Sequence, residues 1–178
     1  PPENMSDLLP LCEFESSDFI IEEHDILIPA LPSDVFPQIC RIGGEYGWNH
    51  ANFLWEIRGW IDRLLGGVGL HRGRRDLSNL RVGDSVDFWR VEKFEHDQEL
   101  LLRAEMITPG LSWLQFQLNP EKGNSTRLTL RAHFIPKPFW GKIYWIALSS
   151  FHSYIFKGML EHFKKRSMYV QGKKDVNK

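Results

Sequence analysis

Apolar and polar residues alternate most clearly in the middle of the chain. Leu100, Leu102, Ala104 and Met106 share one side of an extended segment, as do Leu114, Phe116 and Leu118, and Leu128, Leu130, Ala132 and Phe134. The opposite positions carry Arg103, Glu105, Gln115, Gln117, Arg127, Thr129 and Arg131. A period of two with one apolar side predicts strands of an antiparallel sheet that buries a single face. "DSVDFWRVEKF" and "QELLLRAEMI" are joined by the hairpin-length link "EHD", and "LSWLQFQLNP" and "STRLTLRAHFIP" flank "EKGN". In "SVDFWRV" the inward side stays open, because Val86, Phe88 and Arg90 alternate against Asp87, Trp89 and Val91. An earlier strand is predicted over "DFIIEEHDILIP", Asp18 to Pro29.

Elsewhere the period lengthens. In "LPSDVFPQICRIGG" Ser33 or Asp34 can cap a short helix that Gly43-Gly44 stops. Asn49 or Asn52 can cap a second helix, in which Phe53, Ile57, Trp60, Ile61 and Leu64 recur at helical spacing. Arg58 and Asp62 stand four apart on its other side. A long helix is expected from about Pro138 to Arg166, with Trp140, Tyr144, Ala147, Leu148, Phe151, Ile155 and Met159 as its apolar stripe. That stripe needs cover, and the apolar face of the sheet is the available partner.

Composition narrows the class. The 178 residues suit one domain with a substantial core, and 42% hydrophobic with 25% charged residues is ordinary for a globular protein. Aromatics reach 13%, with seven Trp, enough to line both a core and an apolar cavity. A net charge of −1 supplies no general field for nucleic acid. Charge is nevertheless uneven: no Lys or Arg precedes Arg41, and the C-terminal end carries Lys164, Lys165, Arg166, Lys173, Lys174 and Lys178. Residues 1–17 therefore read as an irregular lead-in, 18–166 as the domain, and 167–178 as a disordered basic tail with weak membrane-surface contact as its sharper use. "FWGKIYWIALSSFHSYIF", Phe139 to Phe156, is strongly apolar, but Lys142, His152 and three Ser interrupt it, so no transmembrane segment is expected. Cys12 and Cys40 have neither metal spacing nor a disulfide framework, which fits a cytoplasmic setting. The acidic N-terminus has no secretory leader pattern. The chain opens on Pro1-Pro2 rather than Met, consistent with a processed form or a piece of a longer protein.

This order of strand, two short helices, antiparallel meander and long helix resembles the helix-grip fold of the START-like and polyketide-cyclase-like (SRPBCC) superfamily. There a curved antiparallel sheet wraps a long C-terminal helix and leaves a cavity between them. The segments "RIGGEYGWNHANFLWEIRGWIDRLLGGVGLHRGRRD", "LRVGDSVDFWRVE" and "LLLRAEM" look like a bacterial family of unknown function within that superfamily. Its domains often follow an NAD(P)-binding domain of the short-chain dehydrogenase or NmrA type. The resemblance implies an α+β helix-grip fold and a small-molecule cavity, and transfers no activity, because fold does not carry chemistry. No strand–GxGxxG–helix unit occurs here, so no cofactor is expected in this chain; NAD(P) would enter only with an upstream domain.

Candidate chemistry is sparse. "GGVG" lacks the Lys-Ser/Thr of a phosphate-binding loop and reads as punctuation after the second helix. His71, Arg72, Arg74 and Arg75 form either a solvated turn paired with Asp76 and Asp84, or a cationic cavity mouth for an acidic ligand. His50, just before a helix, is either part of a structural loop or an acid/base group, with Asp62 or Glu105 as carboxylate partner. Asp87, Arg103, Glu105 and Arg131 form either cross-strand ion pairs on the solvent side or polar groups of a pocket. The remaining His residues show no metal-ligand spacing, so no metal is expected. The ligand-lining candidates are Trp48, His50, Trp55, Arg72, Arg74, Trp89, Trp113 and Tyr144. They suggest a hydrophobic or aromatic, and in some cases acidic, small molecule bound between sheet and helix. Two rivals remain. One is a stand-alone cyclase- or hydrolase-like enzyme using His50 and a carboxylate. The other is an interaction domain with a filled core.

Overall fold

A computed structural model describes residues 10–11, 19–43, 60, 79–138 and 140–176. The chain enters through β1 (Ile20–Ile28) and a short helix α1 (Pro32–Ile39). It then forms β2 (Ser85–Val86), β3 (Trp89–Glu95), β4 (Glu99–Ala104), β5 (Gly110–Glu121) and β6 (Ser125–Pro136). The last element is the helix α2 (Trp140–Val176). The six strands form one curved antiparallel sheet in the order β1-β6-β5-β4-β3-β2. The first strand therefore closes the sheet beside the last, and the rest is a meander of hairpins. Of the second predicted helix only Trp60 is described; it is helical but exposed rather than part of a buried stripe, and the caps Asn49 and Asn52 lie outside the described residues.

The alternation sorts the two faces as expected. Leu100, Leu102, Leu114, Phe116, Leu118, Leu128, Leu130 and Phe134 are buried against Trp145, Ile155, Phe156, Met159, Leu160 and Phe163 of α2. Val35, Phe36 and Ile39 of α1 complete this core, with Phe36 tilted against Phe94 at 5.3 Å. The outer face carries ion pairs between strands. Arg131 pairs with Glu23, Arg127 with Asp25 and Glu121, and Lys93 with Glu99.

Two irregularities resolve the ambiguity around "SVDFWRV". Asp87 and Phe88 form a tight turn between β2 and β3, with Asp87 at φ 54°, so Val86, Phe88 and Trp89 are all buried. Asp87 is thus a turn residue rather than a member of the strand pattern. Gly43, at φ 74°, packs beneath this turn; a Cβ there would come within 2.6 Å of Val86 Cγ1. Further along β3, a register shift between Val91 and Lys93 places both Glu92 and Lys93 on the outer side. An extra residue opposite one partner is a β-bulge, and it returns Phe94 to the core face.

The helices depart from expectation in three ways. The N-cap of α1 is Leu31, with Pro32 at the first helical position and no side-chain cap, so neither Ser33 nor Asp34 serves. The buried stripe of α2 runs through Trp145, Ile155, Phe156, Met159, Leu160, Phe163 and Ser167, while Ala147 and Phe151 are exposed. It is rotated by roughly a quarter turn from the predicted stripe, at 3.6 residues per turn. The first half of α2 is apolar nearly all round, so its hydropathy selects no face. The second half has a clear stripe and sets the orientation. Finally, α2 runs on through the basic residues to Val176, past the helix end expected at about Arg166. Ser167 is fully buried and donates to the Phe163 carbonyl, and Lys174 pairs with the buried Asp34 of α1. Packing against α1 thus orders a segment whose charge alone reads as solvated.

Candidate functional site

The region where the inner face of the sheet meets α2 is the candidate site. The predicted lining divides around it. Trp89, on β3, faces inward and stacks at a tilt on Phe88 at 5.6 Å. Tyr144, near the start of α2, is half-buried against Phe134 with ring centres 6.0 Å apart.

Trp113 does not line this region. It alternates with Leu114 and faces away from α2, where its indole N–H donates to Glu92 Oε2 at 2.9 Å. Phe19 meets its edge at 6.1 Å, and the Arg103 guanidinium lies 5.8 Å from the ring centre. The backbone N–H of Leu11 donates to the other oxygen of Glu92 at 2.7 Å, so the carboxylate that holds the indole is itself held. An aromatic residue on the polar side of an alternating strand gives no sequence sign that a chain end will bury it. Beside it, His133 lies 3.0 Å from Gln115 Oε1, and burial pushes its pKa down, helped by the nearby Arg131.

Glu105 is likewise outside this region. Both its oxygens accept from the Arg90 guanidinium, at 2.9 and 3.1 Å, making a bidentate pair on the outer side. It cannot serve as the cavity carboxylate of an acid/base pair with His50. Arg131 also points outward, to Glu23 and Gln117. Trp48, His50, Trp55, Asp62, His71, Arg72, Arg74 and Arg75 lie outside the described residues.

Three residues that the motif search passed over form a polar island on the inner side. In "IIEEHDILI", Ile20, Glu22, His24, Ile26 and Ile28 share the inward face of β1. Glu22 and His24 therefore point toward α2. His24 Nε2 lies 2.8 Å from Glu22 Oε1. His152, on the buried side of α2, brings its Nδ1 to 3.9 Å from Glu22 Oε2. Those last two atoms are shut off from solvent, and neither has a hydrogen-bond partner among the described residues. At 3.9 Å they are too far apart to bond directly. The His152 ring stacks on Phe156 at 5.5 Å and meets the edge of Trp145 at 5.2 Å. Trp145 in turn stacks on Phe134 at 5.0 Å. Burial among these rings lowers the His152 pKa to about 4, so the imidazole is neutral near pH 7. The sequence signal was present: two ionisable residues at i and i+2 fall on the apolar side of a strand, where such groups are costly without a purpose.

A carboxylate, two imidazoles and a wall of aromatic rings can orient a polar group on an apolar molecule, or move a proton to or from it. No group of three His, Cys, Asp or Glu residues suited to a metal occurs among the described residues. No helix among them is long and apolar enough to cross a membrane.

Residues 20–159 match the family described as Protein of unknown function (DUF2867). The chain belongs to that family. No curated protein sequence matches it. Among solved structures it is similar to the Zhui aromatase/cyclase from Streptomyces sp. R1128, at 12% identity and a TM-score of 0.50, covering 84% of this chain and 94% of that one. It is also similar to norcoclaurine synthase from Thalictrum flavum, at 11% identity and a TM-score of 0.49, covering 83% and 85%. At such identities the first likeness speaks for the helix-grip fold and not for a reaction.

Proposed function

We propose that this DUF2867 domain binds a small, mainly hydrophobic or aromatic molecule between the sheet and α2. The observation that carries this reading is the island of Glu22, His24 and His152 within the aromatic wall of Phe134, Trp145 and Phe156. A filled structural core has no use for a carboxylate oxygen and an imidazole nitrogen that face each other unsatisfied, since leaving such groups unpaired costs about 1–3 kcal/mol each. A ligand site tolerates that cost because the ligand supplies the missing partner. Trp89 and Tyr144 belong to the same inward-facing surface and are assigned as further lining residues.

The domain is proposed to act in the cytoplasm beside an NAD(P)-binding domain, in cis or in trans; the support is the likeness of its motifs to domains found in that setting. His50, Arg72 and Arg74 remain assigned to the mouth of the pocket on their residue chemistry. A catalytic reading is favoured by one observation, the hydrogen-bonded contact of His24 with Glu22, which is how a general base is commonly oriented.

Native mass spectrometry of the protein purified from its own host tests the proposal. A retained small molecule, released on denaturation, is expected. Repeated recovery of the ligand-free mass, together with no change in melting temperature across a library of aromatic compounds, would overturn it. Arg72→Ala with Arg74→Ala should weaken binding of an acidic ligand; unchanged affinity removes those residues from the site.

A further inference from the structure

The chemistry of the island specifies the polar end of the ligand. The geometry points to Glu22, with His24 and His152 beside it, as a binding site for a neutral hydroxyl group on an otherwise aromatic molecule, rather than for a carboxylate. The inference rests on the binding function proposed above.

Glu22 Oε1 is occupied by His24, whereas Oε2 has no hydrogen-bond partner among the described residues. A carboxylate oxygen only accepts, so whatever completes it must donate. The group facing Oε2 is His152 Nδ1, and the 3.9 Å between them is too long for a bond. One oxygen at about 2.8 Å from each atom would satisfy both, donating to Glu22 and using its remaining capacity toward the imidazole. Because both atoms are shut off from solvent, a modest turn of the His152 ring must accompany entry. Its side chain is 24% exposed, so the ring is not locked on every side.

Charge decides between ligand classes. No Lys or Arg bonds to Glu22 among the described residues; its neighbours are the two imidazoles. Burial keeps His152 neutral near pH 7. An incoming carboxylate would therefore meet the Glu22 carboxylate beside a neutral His152 in an apolar setting, where like charges repel. A hydroxyl brings the donor without the charge. The rings of Trp145, Phe156 and Phe134 supply matching apolar surface for an aromatic body.

The test is isothermal titration calorimetry of the full chain with naphthalene, a naphthol and the matching naphthoate, at near-neutral pH. Naphthol should bind about tenfold or more tightly than naphthalene, as expected for a hydrogen bond to a charged acceptor, and naphthoate more weakly than naphthol. In Glu22→Leu, which removes the acceptor and keeps an apolar surface, naphthol should fall to the affinity of naphthalene. Equal binding of all three probes by the wild-type protein would overturn the hydroxyl site while leaving the binding function standing. A preference for naphthoate would overturn it in favour of a cationic end. Binding of none of the three would count against the binding function itself. The comparison among probes is read on the wild-type chain, so it holds even if Glu22→Leu folds poorly.

Discussion

His152 should make the fold sensitive to mild acid, and replacing it with Phe should remove most of that sensitivity. An ordinary histidine titrates near 6.5, whereas burial among Trp145 and Phe156 brings His152 to about 4. Between these values the unfolded chain binds a proton that the folded chain refuses. The neutral ring's contribution is thus fully present above pH 6.5 and is lost as pH falls toward 4. A difference of about 2.5 in pKa, at about 1.4 kcal/mol each, amounts to about 3 kcal/mol across that window. Partial exposure of the side chain, at 24%, lowers the realistic figure to about 2–3 kcal/mol. Phe preserves the stacking on Phe156 and the edge contact with Trp145, so His152→Phe should fold. Urea unfolding of both proteins, from about pH 7 to about pH 4.5, supplies the stability at each pH. The wild-type curve should fall relative to the variant by about 2 kcal/mol over that range. His133, also held low by burial, contributes equally to both proteins and cancels in the difference. Parallel curves would show that His152 is solvated like a surface histidine, and the buried island would lose its physical basis.

Three further outcomes follow from the packing. Trp113→Phe should cost about 1–3 kcal/mol in chemical denaturation, by leaving Glu92 without its indole donor, yet leave ligand affinity unchanged because Trp113 faces away from α2. Gly110→Ala should lower the melting temperature sharply, since a Cβ would collide with the Ile135 carbonyl and come within 2.6 Å of the Phe134 ring; overpacking of this kind costs about 1–3 kcal/mol. Lys174→Ala should cost on the order of 1 kcal/mol by stranding Asp34, which is 6% exposed, and adding Asp34→Asn should recover much of the loss; thermal melts of the single and double variants decide it.

Much of the candidate site was legible in the sequence once the period of two was applied to every strand. The alternation that sorts Leu100, Leu102 and Leu114 from Arg103 and Gln115 also places Glu22 and His24 with Ile20, Ile26 and Ile28. A search for motifs overlooks them because Glu22 and His24 match no catalytic signature; they are notable only for the face they occupy. His152 was harder to read. It sits in a stretch apolar on most sides, and which side of α2 meets the sheet is set by Met159, Leu160 and Phe163 further along the helix. Trp113 was expected in the pocket and Glu105 was open between an ion pair and a pocket group for a related reason: a residue's chemistry does not reveal which neighbours the register supplies. Arg90 claims one, and Glu92 with Phe19 encloses the other.

Local periodicity alone determined the main strands, the antiparallel hairpins and the division of the sheet into an apolar and a polar face, because side-chain direction in a strand follows from position and needs no partner. Tertiary structure decided the rest. The turn at Asp87 and the bulge at Glu92 break the alternation and reassign side chains at the sheet's edge. Packing on α1 carries α2 through its basic run to Val176. The island of Glu22, His24 and His152 joins residues 128 or more positions apart in the chain, from Glu22 and His24 on one strand to His152 on the last helix. Contacts between residues so distant are fixed only when sheet and helix close on each other, and no local pattern encodes that distance.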